Sequence, residues 1–183
     1  ETFEFMDYLS DKPIEMRLKE KIYEESEGNA FFIVEGTMAL AQEPFDDYHR
    51  YKSILDSRFI GLDANEMKVL VMTALFFDEL EFGLLKKLLT IDEDMLLESI
   101  QVLKKRYILK ELDGEETLKL KFTHHKLREH VYEQTPISKR RILHNRVGNL
   151  LEDSLTGDGR DALIYQKLIY HFSSAGNTKK HLE

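Results

Sequence analysis

The sequence predicts a mainly α chain with one small β element, and three observations carry this. Apolar residues recur at helical spacing through most of the 183 residues. The period falls to two only over 118–122, where Leu118, Leu120 and Phe122 alternate with Lys119 and Lys121 as in a half-buried strand. Asp113-Gly114, a hairpin turn pair, separates that run from the apolar stretch 107–112.

Taken in order, Ser10 or Asp11 followed by Pro13 reads as a helix start, with Ile14, Leu18 and Ile22 as its stripe. Glu27-Gly28-Asn29 ends that helix. Asn29 then caps the next one, which opens Phe31-Phe32-Ile33-Val34, runs through Met38 and Leu40, and is closed by Pro44. An opening apolar on every side predicts burial in a core or against a partner domain. Within 45–61 the pattern suggests only a short helix over 51–55. Asp63 to Glu66 is a capping-box signature, with Asp in place of Ser or Thr, leading into Met67, Leu70, Val71, Ala74 and Leu75. A short helix over 82–89 follows, then one starting at Asp92 with Leu96, Ile100 and Leu103. Three helices followed by a hairpin is the winged-helix order.

Residues 122–151, FTHHKLREHVYEQTPISKRRILHNRVGNLL, hold four of the seven histidines and a local excess of positive charge in a chain of net charge -8. They read as two helices. Thr123 is the expected cap of the first, with Leu127 and Val131 on its apolar face. Pro136 stops it near Gln134, and Ser138 is the expected cap of the second, whose stripe is Leu143, Val147, Leu150 and Leu151. His124 then falls at a strand-to-helix corner, where free backbone donors and the positive dipole end favour phosphate. After the polar break 156–159, Ile164, Leu168, His171, Phe172 and Ala175 mark a last amphipathic helix ended by Gly176-Asn177. The last two helices are expected to begin a helical superhelix.

Composition narrows the function classes. There is no cysteine, so disulfide and thiolate chemistry are excluded, which fits a cytoplasmic setting. No apolar run approaches the ~20 residues of a membrane span, and no secretory signal is visible. The acidic balance argues against nucleic-acid binding by the whole surface. Hydrolase signatures such as G-x-S-x-G and H-E-x-x-H are missing from the sequence. His124, His125 and His130 do not share a helix face, so metal ligation is not expected of them. His125, His130 and His144 are expected to be solvated or paired with local carboxylates. The basic run Lys139-Arg140-Arg141 reads as an ordinary helix start. Starting at Glu1 without Met, the chain is expected to be a fragment.

Four stretches together resemble the STAND signal-transduction ATPases, AAA+-related regulators. EGNAFFIVE (27–35) is similar to the EGNPFF element, and FTHHKLREHVY (122–132) is similar to F-x-H-D-x-x-R-E-x-V-Y. LHNRVGNLLE (143–152) follows at the expected distance, and YHFSSAGNTKK (170–180) resembles the opening of a tetratricopeptide-like superhelix. The resemblance covers nearly the whole chain. It implies a helical lid fragment over 1–56, a winged-helix domain over 57–135, and the start of a superhelix over 136–183. It also implies that Gly28, Asn29 and Ala30 are nucleotide-binding residues of the lid, with the third, Ala30, standing near the adenine where the family has proline. His124 matches the histidine that contacts the ADP phosphate in related NB-ARC proteins, and His125 stands where the family usually has aspartate.

No G-x-x-x-x-G-K-[ST] loop is found in this sequence, so no catalysis and no cofactor of its own are expected of this segment. ATP or ADP would belong to the parent protein. The expected function is regulatory: the lid and winged helix latch a nucleotide-bound closed state of a signalling protein or transcription regulator. The implied partners are an upstream ATPase core of the same chain and, through the helical segments, other copies. The alternative is a winged-helix DNA-binding or protein-interaction module, and a third reading is a plain scaffold segment. The third helix opens Asp92-Glu93-Asp94, so the turn that would face a duplex meets phosphate with repulsion. The sequence therefore argues against direct DNA binding.

Overall fold

A computed structural model describes residues 1–10, 13–42, 56, 58–112, 117–155 and 162–177, apart from the side chains of Glu25 and residues 39–42. The chain is mainly helical with a small three-stranded antiparallel sheet. It separates into two compact units, Glu1–Ile60 and Gly61–Glu183. Among the described residues, no helix is long and apolar enough to cross a membrane.

In the first unit, α1 (Thr2–Leu9) and α2 (Met16–Ser26) pack on α3 (Ala30–Gln42). α1 was not expected from the sequence; Met6 is its one buried residue and Glu1 gives it no side-chain cap. Ser10 ends α1, and α2 begins only at Met16, so Ile14 lies ahead of the helix instead of on its stripe. The cause is the backbone, since Glu15 is still extended (ψ 140) at the N-cap. Asp11, Pro44 and the expected helix at 51–55 lie outside the described residues. The apolar opening of α3 is divided: Phe32 and Ile33 are buried, whereas Phe31 is 38% exposed. The Arg58 guanidinium sits 3.6 Å over the Phe31 ring.

The second unit is built on α4 (Ala64–Ala74), whose face Val69 to Ala74 is almost wholly buried. Its start is a complete capping box: Asp63 Oδ1 accepts from the Asn65 and Glu66 amides, and the Asp63 amide donates to Glu66 Oε2. Then come β1 (Leu80–Glu81), α5 (Phe82–Leu88), α6 (Glu93–Lys105), β2 (Leu109–Leu112) and β3 (Lys119–Phe122). The sheet order is β1-β3-β2, with Leu80 opposite Leu120 and Leu109 opposite Phe122. β2 starts later than the apolar run suggests because Tyr107 takes a left-handed backbone (φ 54). The turn at Asp113-Gly114 and the break at 156–159 lie outside the described residues.

α7 (His125–Gln134), α8 (Ile137–Glu152) and α9 (Ala162–Ala175) complete the unit; α7 packs on α4, and α9 along α8. Two expected caps are corrected. Thr123 does not cap α7, because its hydroxyl donates instead to the Tyr107 carbonyl at 2.6 Å. His124 caps in its place. Ser138 lies inside α8, whose N-cap is Pro136 with no side-chain hydrogen bond: the proline ring already holds φ at -52. The buried face of α8 is His144, Val147, Gly148 and Leu151, rotated from the expected stripe, and Leu143 and Leu150 are half-buried. Gly148 explains the rotation, since its missing Cβ admits the Phe172 ring of α9.

Candidate functional site

Two clusters of chemistry-bearing side chains stand out in the second unit, and the first is the corner at His124. β3 ends on buried Phe122, and Thr123 pins the chain to the entrance of β2 through its amide, which donates to the Ile108 carbonyl at 3.0 Å. His124 is extended (φ -144, ψ 139), and its Nδ1 accepts from the Lys126 amide at 3.2 Å. An imidazole nitrogen that accepts carries no proton, so in the neutral ring the proton sits on Nε2. The His125 ring lies 4.5 Å from that of His124. Farther along α7, Arg128 donates to the Ala74 carbonyl at 3.1 Å and lies 4.7 Å over the Phe77 ring, tying α7 to the end of α4. His125 and His130 are half-buried, because α7 packs its length against α4 and β3.

Gly28, Asn29 and Ala30 belong to the first unit, where they form the link between α2 and α3. Glu27 (φ 49) and Gly28 (φ 75) are both left-handed and end α2, the Gly28 amide donating to the Tyr23 carbonyl at 3.4 Å. Asn29 Oδ1 accepts from the Phe31 amide at 3.0 Å, the cap expected from the sequence. Ala30 is the exposed first residue of α3. Gly28, Asn29, Ala30 and His124, each expected at a helix boundary, are all found at one.

The second cluster was missed. His144 is fully buried, contrary to the solvated position expected of it, and His171 is 1% exposed. Their Nδ1 atoms lie 2.9 Å apart and share one proton-bearing hydrogen bond. His144 Nε2 lies 3.1 Å from the Tyr132 hydroxyl. The Tyr170 hydroxyl joins through hydrogen bonds to Tyr132 and Ser174. The edge of this group is aromatic, with Phe76 against His171 and Phe77 against Tyr170. Burial, assisted by the charge of Arg140, lowers the His144 pKa to about 4. Burial, with His144 and Lys167 adding to it, lowers that of His171 to about 3. Burial raises that of Tyr170.

Both imidazoles are therefore neutral near pH 7, and two proton arrangements satisfy the chain. Either His144 Nδ1–H donates to His171 and the Tyr132 hydroxyl donates to His144 Nε2, or His171 Nδ1–H donates and His144 Nε2–H donates to Tyr132. The signal in the sequence was spacing. His144 shares a face with Val147 and Leu151, and His171 already fell on an apolar stripe beside Leu168 and Phe172. No family model matches the chain, and no curated protein matches it.

Proposed function

We propose that this chain is the regulatory, non-catalytic part of a nucleotide-switched signalling protein of the STAND type. The observation that carries the proposal is the corner at His124. There an imidazole stands at the junction of a strand and a helix N-terminus, its Nδ1 engaged by the Lys126 amide and its proton placed on Nε2. In the parent protein Nε2–H donates to a phosphate oxygen of ADP, and the helix dipole adds to the attraction. Two further features support the reading. Three helices with a small antiparallel sheet, in the order α4-β1-α5-α6-β2-β3 and with sheet order β1-β3-β2, support a winged-helix reading. The α2–α3 link carries the Gly28-Asn29-Ala30 element on a capped turn, which is compatible with a lid contact. A nucleotide biases a switch only through contacts that differ between its states, and the phosphate contact of His124 is such a contact. The test is ADP release from the full-length parent: His124→Ala is expected to speed it and raise basal signalling, and an unchanged release rate removes His124 from the mechanism.

One observation favours a protein-interaction module over a DNA-binding one as the second reading. The first turn of α6 is acidic and engaged: Asp92 accepts from the Asp94 amide, and Glu93 pairs with Lys86. Duplex binding through this helix would set those carboxylates against phosphate. Steeply salt-dependent anisotropy with duplex DNA is the result that would restore the DNA reading.

A further inference from the structure

On the second unit, α4, the segment following α5 and one face of α8 enclose an open groove of about 180 Å³. Its floor is apolar, with Leu89, Ile91 and Leu143 half-exposed over buried Met72, and its rim carries Lys68, Lys139 and Arg146. No carboxylate lines it. Among the described residues neither Lys139 nor Arg146 is held in an ion pair, while Lys68 reaches Asn65 Oδ1 at 3.1 Å. Three cations converging on an apolar floor are a local exception in a chain of net charge -8.

We propose that this groove docks an acidic amphipathic helix of a partner protein. Three observations select that occupant. First, the volume is below the ~300 Å³ at which pockets begin to enclose a whole small ligand; it suits one or two apolar anchor side chains of a larger partner. Second, Lys139, Leu143 and Arg146 stand at i, i+4 and i+7 on α8, a single face with cations roughly 10 Å apart. That face is complemented by a helix with two carboxylates seven residues apart and a large apolar residue between them, laid in the groove in the manner of helix-in-groove recognition. Third, the apolar floor offers nothing to a bare polyanion, whereas the apolar face of an amphipathic helix would cover it. The proposal is independent of the nucleotide reading, since it uses none of the residues at His124.

The experiment uses the whole 183-residue chain and a fluorescein-labelled, alanine-based helical peptide. The peptide carries two glutamates seven positions apart, with leucines three and four positions after the first. Fluorescence anisotropy is expected to show saturable binding that weakens with salt. The double variant Lys139→Glu, Arg146→Glu should weaken it by about tenfold or more, and serine in place of the peptide leucines should weaken it comparably. Lys105→Glu, on α6, should leave it unchanged. If circular dichroism shows the double variant misfolded, the glutamine pair at the same positions replaces it. Absence of saturable binding overturns the proposal. So does equal affinity in a folded double variant, equal affinity for the serine peptide, or displacement of the peptide by duplex DNA.

Discussion

The Nδ1 atoms of His144 on α8 and His171 on α9 share a hydrogen bond at 2.9 Å, and both rings are shut away from solvent. A neutral pair can make this bond because one ring donates and the other accepts; a doubly protonated pair has two donors facing each other. The arrangement joins α9 to α8, and through Tyr132 to α7.

The pair makes stability depend on pH. In the unfolded chain both imidazoles take up protons as the pH falls through about 6.5, whereas in the folded chain they do so only near 4 and 3. Across that window the unfolded state binds more protons, so stability is complete above about pH 6.5 and is lost progressively below it. The expected outcome is a melting temperature that falls from pH 6.5 toward pH 4, and falls less steeply in the double variant His144→Leu, His171→Leu. Parallel profiles for the two proteins would remove the pair as the cause.

Gly148 is the point where α8 and α9 meet most closely. A Cβ there would stand 2.5 Å from Phe172 Cε1, with Phe172 itself buried. Gly148→Ala is therefore expected to lose about 1–3 kcal/mol in urea unfolding, despite the better helix propensity of alanine. Combining it with Phe172→Leu should cost less than the sum of the two single changes, because the smaller side chain makes room.

Local signals in this sequence read well where one residue decides the outcome. Asn29, Asp63, Asp92 and Gln134 fall at the helix boundaries expected of them. Failures came where the outcome depends on distant partners. β1 is only two residues long and shows no alternation to read; it exists because Leu80 finds Leu120 across the sheet. Thr123 has the chemistry of a cap, but the Tyr107 carbonyl claims its hydroxyl, and the cap moves one residue on to His124. The type of His144 points to solvent or a carboxylate partner while its spacing points inward, and the Phe172 ring at Gly148 sets which face of α8 is inside. At the candidate site, the corner was legible and the buried histidine pair was not.

The capping box at Asp63 gives a stability test free of core effects. Its carboxylate accepts two backbone amides while Glu66 returns the bond to the Asp63 amide. Asp63→Ala is expected to lower stability by about 1 kcal/mol, with Asp63→Asn or Asp63→Ser recovering most of it. Equal stability of the alanine and serine variants in urea titrations would contradict the role of the cap.

The capping role of His124 can be separated from its proposed nucleotide role. As the N-cap of α7 it can be replaced by Asn, whose side-chain oxygen accepts the same amide; the proposed donation from Nε2 to a phosphate cannot be kept by Asn. In the 183-residue chain, His124→Ala is expected to lose about 1 kcal/mol and His124→Asn only a few tenths. Circular dichroism melts of the two variants distinguish them, and a His124→Asn variant as unstable as His124→Ala would show that the cap needs the imidazole.

That separation permits the most direct test of the proposed nucleotide switch. The full-length parent is purified, denatured, and its released nucleotide chromatographed, alongside His124→Asn. Bound ADP near one per chain in the native protein, lost in a His124→Asn variant that melts like the native one, is the expected result. Full ADP retention by His124→Asn, or no nucleotide in the native protein, would contradict a phosphate latch at this corner.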